Sequence, residues 1–192
     1  GDSDHGGINI SKGLVDIANM TPGVPSDLKV VVNLKTQGDN PESYLIQSPI
    51  SDQVKIFNYL SVQGAYDLNL NFLFPLAQPD NPPVYQSQII LNQNNLMLKK
   101  IPLEVSNLAG VINIHGSAVS TDLVRGVQGR FLGEPLAIKI QTSFDNPERP
   151  DQKKVHIFLN GAIDGSKLYP NLLSGITPMT AEIDLLPDGM NV

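Results

Sequence analysis

The sequence has no cysteine, no tryptophan and only 3 histidines among 192 residues. Without thiols there is no disulfide scaffold, zinc ribbon, thiol nucleophile or iron–sulfur ligation. A domain of this length buries roughly 70% of the surface its unfolded chain exposes, so its core needs no such staple. Positive charge is also scarce: 13 Lys plus Arg face 19 Asp plus Glu, a net charge of -6. Binding to a phosphate backbone draws on clustered cations and the counterions they displace. The basic doublets here are just Lys99-Lys100 and Lys153-Lys154, so no nucleic-acid partner is expected. No apolar run approaches the roughly 20 residues of a membrane-spanning helix, and no basic start followed by an apolar stretch marks a signal peptide. Charged residues make up 17%, below the usual ~25%, and Asn, Gln, Ser and Thr carry the polarity instead. Residues 1–7 (Gly-Asp-Ser-Asp-His-Gly-Gly) read as a flexible lead-in, and 1–192 as a single segment of a longer protein.

What the chain does have is alternation. Tyr66, Leu68, Leu70, Phe72 and Phe74 fall on one parity, Asp67, Asn69 and Asn71 on the other. A period of two over nine residues is a strand with one dry and one wet face. Leu28, Val30, Val32 and Leu34 repeat the pattern, as do Leu136, Ile138 and Ile140, then Val155, Ile157 and Leu159, then Met179, Ala181, Ile183 and Leu185. Weaker strand candidates lie at 8–19, 84–92, 95–99, 108–115, 118–124 and 127–132. Between them, Asp39-Asn40-Pro41, residues 79–83, Asn92 to Asn95 and residues 145–150 supply turn chemistry. Pro82-Pro83-Val84-Tyr85 matches a Pro-rich recognition peptide, but its position makes it the entry to a strand.

Helix is sparse. A short helical insertion is expected over 41–60, with Asn40 as N-cap and Pro41 at N1; Pro49 divides it, and Val54, Ile56, Phe57 and Leu60 face inward in its second half. Another turn or two is expected at 166–173. Strand and helix do not alternate, which excludes a doubly wound sheet. The strands instead suggest an antiparallel meander.

Catalytic constellations are missing. His5, His115 and His156 are not paired at ligand spacing, and a transition metal asks for three or four ligands. His115 and His156 both stand on wet parities and read as solvated strand residues. No carboxylate pair, nucleophile elbow or phosphate loop is visible. No enzyme activity, metal or cofactor is expected.

About ten amphipathic strands with two or three short helices leave dry surface uncovered. The sheet must either close into a sandwich or barrel, the sandwich being the commoner solution for soluble chains, or curl into a trough that shelters an apolar ligand.

From residue 64 the order of elements becomes familiar. The strand Gly64 to Phe74 ends in Pro75-Leu76, Val84 to Asn92 follows, and Asn95-Leu96-Met97-Leu98 leads through Ile101-Pro102-Leu103 to Val105 to Ile114. Ser120 to Val124, Gly129-Arg130-Phe131-Leu132-Gly133-Glu134-Pro135-Leu136 and a strand closing at Thr142 come next; the tail runs Val155 to Gly161, Leu168 to Leu173, Met179 to Leu186. This succession resembles the large AsmA-like and TamB-like envelope proteins, most closely the YhdP family. The resemblance implies a mainly β fold, a curled antiparallel sheet forming an open groove. It also implies a periplasmic piece of a protein anchored in the inner membrane, carrying phospholipid between inner and outer membranes. Expected partners are phospholipid, neighbouring segments of the same chain, and proteins of the two membranes. The expected lining is the dry face: Leu28, Val30, Val32, Leu34, Tyr66, Leu68, Leu70, Phe72, Phe74, Ile112, Ile114, Leu136, Ile138, Ile140, Val155, Ile157 and Leu159. The alternative is a closed β-sandwich acting as a structural or interaction module in the envelope.

Overall fold

A computed structural model describes residues 8–17, 26–36, 60–76, 83–98, 104–116, 118–144, 153–168, 174–186 and 189–191. The described residues form a 12-stranded antiparallel sheet. Its strands are β1 (Ile8–Ile17), β2 (Asp27–Thr36), β3 (Leu60–Gln63), β4 (Asp67–Pro75), β5 (Val84–Leu98), β6 (Glu104–His115), β7 (Ala118–Thr121), β8 (Val127–Phe131), β9 (Glu134–Phe144), β10 (Lys153–Asp164), β11 (Ile176–Leu186) and β12 (Gly189–Asn191). One helical turn, α1 (Gly165–Leu168), separates β10 from β11. Mostly β structure with almost no helix is what the strict alternation predicts.

Order across the sheet follows order along the chain, apart from β3 and β8. β3 and β4 lie end to end along the 15-residue β5: Leu60 faces Leu98 and Gln63 faces Asn95, then Asp67 faces Ile90 and Leu73 faces Val84. β7 and β8 divide β6 in the same way, Ala118 facing His115 and Phe131 facing Val105. Among the described residues β1 pairs only with β2, and β12 only with β11, so the described meander has two edges and the sheet is open. A closed sandwich would need a second sheet packed face to face. Among the described elements, extensive contact is confined to hydrogen-bonded neighbours.

Both chain breaks are chemically specified. At the first, Gly64 has φ +91°, a left-handed conformation that favours glycine. Asn94 fills the gap: its Nδ2 donates to the carbonyls of Gln63 and Ala65, and its Oδ1 accepts the amide of Asn92. Thr36 ties β2 to the same point, donating its amide and hydroxyl to the Tyr66 carbonyl and accepting the Tyr66 amide on Oγ1. At the second break, Asp122 Oδ1 accepts the amides of Val124 and Arg125. Gly126 then returns the chain at φ +64°, where a Cβ would run into the Ile138 carbonyl. Between the breaks, register shifts flank the pair Asn94 and Leu108, and Asn107 has φ +53°. Bulges bend and twist a strand, so breaks and bulges together draw a crease across the middle of the sheet. The deepest apolar side chains line it: Tyr66 and Leu68 are 2% exposed, Leu108 1% and Val127 2%.

Two expectations are corrected. Asn92 to Asn95 do not turn the chain; they form a bulge inside a continuing β5, because the Asn94 side chain satisfies the backbone groups that the ladder loses there. Leu60 is not helical but opens β3, held by pairing with Leu98. Residues 41–59, the rest of the expected insertion, lie outside the described residues, as do 1–7 and 169–173.

Candidate functional site

Directly opposed residues of an antiparallel pair share a face, so the register assembles the expected lining. One row across the sheet reads Leu34, Leu68, Ile89, Ile112, Thr121, Ile140, Ile157, Ile183, with the Ile140 amide donating to Thr121 Oγ1 where β7 meets β9. The adjacent row reads Val32, Leu70, Ser87, Ile114, Val119, Thr142, Val155, Leu185. Val30 faces Phe72 and Leu28 faces Phe74 in β2 and β4. Leu136 faces Gly161, and Ile138 faces Leu159, in β9 and β10. Tyr66 extends the face beside Thr36 at the first break. Every residue expected on the dry face therefore stands on one face of one continuous sheet.

Depth divides them. Tyr66, Leu68, Leu70, Ile114, Leu136, Ile140 and Val155 are buried; Leu28, Val30, Val32, Leu34, Phe72, Phe74, Ile112, Ile138, Ile157 and Leu159 are half-buried. Tyr66, Leu68, Leu70 and Ile114 belong to the core cluster at the crease, Leu136, Ile140 and Val155 are buried outside it, and the half-buried set forms apolar walls. Phe72 packs edge-on to Tyr85, ring centroids 5.6 Å apart, and stacks on Phe74. Toward β1 the face emerges into solvent: Val15 lies opposite Val30 and is 67% exposed, Ile10 lies opposite Leu34 and is 65% exposed. Ten strand positions at about 4.8 Å spacing give roughly 43 Å along the trough, and strands of this length span about 33 Å across it.

The lining also includes Ile89, Leu91, Leu108 and Val127, which lay in weaker strand candidates. Their parity with Ile112 and Ile138 was the available signal, and it is interrupted at the crease.

The other face is polar in register. One row reads Asn33, Asn69, Gln88, Asn113, Ser120, Gln141, His156, Asp184, with Gln88 Nε2 donating to Asn113 Oδ1. A cleft of about 610 Å³ on this face is bordered by Arg125, Lys139, Phe158 and Glu182, and another of about 480 Å³ by Asn33, Asn69, Gln86 and Asn113.

His115 stands exposed on this polar face, as its parity implies. His156 also points away from the apolar side but is not isolated. Its Nδ1 lies 2.7 Å from Asp184 Oδ1 and its Nε2 2.7 Å from Ser143 Oγ. Glu182 approaches Nδ1 at 3.9 Å. These groups come from three strands, so spacing along the chain gave no sign of the cluster.

Two carboxylates titrate below the ordinary range, both away from the apolar face. Asp122 is held down first by the amide of Arg125, against desolvation, with further lowering from the amide of Val124 and the charges of Arg125 and Lys139. Asp164 is lowered by the hydroxyl and amide of Ser166 and by Lys167. Lys167 also reaches back to Glu134 at 3.7 Å and to the Leu132 carbonyl, latching α1 to the β8–β9 hairpin.

No curated protein and no solved structure matches this chain. The family model described as YhdP protein matches residues 2–190. That span takes in β1 to β11 and all but the last residue of β12, and the chain belongs to the YhdP family.

Proposed function

We propose that this segment binds phospholipid acyl chains along the apolar face of its sheet and passes lipid between the inner and outer membranes. The observation that carries the reading is the register: mainly apolar rows, interrupted by Ser87, Thr121 and Thr142, run from β2 to β11 in a sheet whose described strands do not close on themselves. Half a bilayer's hydrocarbon core is about 15 Å thick, so the face is large enough to lay acyl chains flat while headgroups stay in water. At about 0.8 kcal/mol per buried methylene, ten methylenes contribute about 8 kcal/mol. That is enough to offset much of the cost of leaving a membrane. Affinity spread along a uniform stripe creates no deep trap, and transfer of this kind requires no covalent chemistry and no cofactor.

The segment would work in the periplasm as part of an inner-membrane-anchored protein. The outer edge of β1, unpaired among the described residues and with apolar side chains exposed beside it, suits strand addition from a neighbouring segment. Proteins of the two membranes would receive or supply the lipid at either end.

The test is native mass spectrometry and lipid extraction of the chain purified from cells, beside Phe72→Asp on an apolar wall and Asn71→Asp on the polar face. The reading expects phospholipid on the wild type and on Asn71→Asp, and little on a folded Phe72→Asp. A wild type that carries none, or a Phe72→Asp that retains it, would make the segment a spacer.

A further inference from the structure

We infer that His156, Glu182 and Asp184 form a three-ligand site for a divalent transition ion, zinc in the first instance, on the polar face of β10 and β11. One ligand atom from each residue lies within 4.8 Å of the others. Glu182 and Asp184 stand two apart on β11 and so share a face, and Asp184 is directly opposite His156 in the ladder. Zinc with bonds near 2.0–2.1 Å to N and O spaces its tetrahedral ligands about 3.3 Å apart. The 2.7 Å between His156 Nδ1 and Asp184 Oδ1 must open by about half an ångström, and the 3.9 Å to Glu182 must close by a similar amount. The Glu182 side chain is 59% exposed and free to rotate that far.

The imidazole is already oriented for this role. A metal on Nδ1 requires the proton on Nε2, and Ser143 Oγ, 2.7 Å from Nε2, is then placed to accept it, the outer contact that fixes tautomer and ring plane at metal-bound histidines. Phe158 flanks the same ring, centroids 6.2 Å apart and nearly parallel. Mixed nitrogen and carboxylate donors suit zinc and its neighbours in the transition series better than the all-oxygen preference of calcium or magnesium. A dication would also relieve the repulsion between two carboxylates held on one strand face. Three protein ligands leave the fourth position open, and Glu182 borders the 610 Å³ cleft that Arg125 and Lys139 also line. The order Ser143, His156, Asp184 could instead suggest a nucleophilic relay. Around His156 both edges of β10 are hydrogen-bonded to neighbours, so the strand offers no free amide there to stabilise an oxyanion.

The experiment titrates chelator-stripped chain with Zn²⁺ against a chromophoric chelator, and records the visible absorption of the Co²⁺ form. One equivalent should bind, with a Co²⁺ spectrum of low coordination number. His156→Ala and Asp184→Asn should each weaken binding by at least about tenfold, and Ser143→Ala by about tenfold through ring orientation. Glu182→Gln alters an exposed side chain and so tests the site even where the half-buried His156 variant unfolds; it too should weaken binding and change the Co²⁺ spectrum. His5→Ala and His115→Ala should change nothing. Absence of binding to the wild type, undiminished affinity in Glu182→Gln together with Asp184→Asn, or loss on His5→Ala would each overturn the assignment.

Discussion

Leu68→Ala tests which side of the sheet is the packed one. Leu68 is 2% exposed and stands between Leu34 and Ile89 in the central row. Truncating a leucine in such a position removes its transfer free energy and leaves a cavity, at a cost of about 2–5 kcal/mol. Against a typical stability of 5–15 kcal/mol this is a large fraction. For a chain of 150–250 residues, each kcal/mol shifts Tm by roughly 2–4 °C, so a fall of roughly 10 °C is expected. The matched control is Leu73→Ala in the same strand: the identical chemical change on the polar face, at a side chain 36% exposed. It should cost well under 1 kcal/mol, within the range of surface substitutions. Differential scanning fluorimetry and urea unfolding of both variants give the comparison. Equal losses at the two positions, or a silent Leu68→Ala, would refute the assignment of the apolar rows to the packed side.

Asn94→Ala should destabilise the chain by about 1–3 kcal/mol in urea unfolding, because it removes three hydrogen bonds through which the buried Asn94 side chain holds the carbonyls of Gln63 and Ala65 and the amide of Asn92. The acid side of the stability profile should depend on Asp122 and Asp164. Their folded pKa values lie below the unfolded ones, so their contribution is present above the ordinary carboxylate range and is lost as pH falls through the folded values. Asp122→Asn and Asp164→Asn should each flatten that decline, as read by Tm between neutral pH and pH 3; unchanged profiles in both would contradict the hydrogen-bond account of the shifts.

How much of this was legible depended on whether a signal was local. Asp67 to Pro75 announces itself, because strict alternation over nine residues has no competing helical reading and each side chain's face follows from parity alone. The same holds for Lys153–Asp164 and Ile176–Leu186, whose observed bounds merely extend the alternating stretches by a few residues. Asn92 to Asn95 misled because asparagine favours turns in isolation; what keeps β5 going is the Asn94 amide reaching carbonyls some thirty residues away in the chain. β3 was missed for a related reason: four residues are too few to show a period, and the strand exists through its pairing with β5. The His156 cluster was beyond reach, since Ser143, Glu182 and Asp184 meet it only through cross-strand register. Openness was undetermined by periodicity, because a trough and a sandwich impose the same alternation on each strand.

The central claim is that lipid travels on one face of the sheet, and parity-resolved crosslinking measures that directly. A photoactivatable residue placed singly at Val32, Phe72, Ile138 and Ile157, and separately at Asn33, Asn71, Lys139 and His156, samples neighbouring positions that differ only in face. In the full-length protein in cells, irradiation followed by mass spectrometry should find phospholipid adducts at the first set and none above background at the second. Adducts distributed equally over both parities, or absent from Phe72 and Ile157 while the protein remains folded, would contradict the account.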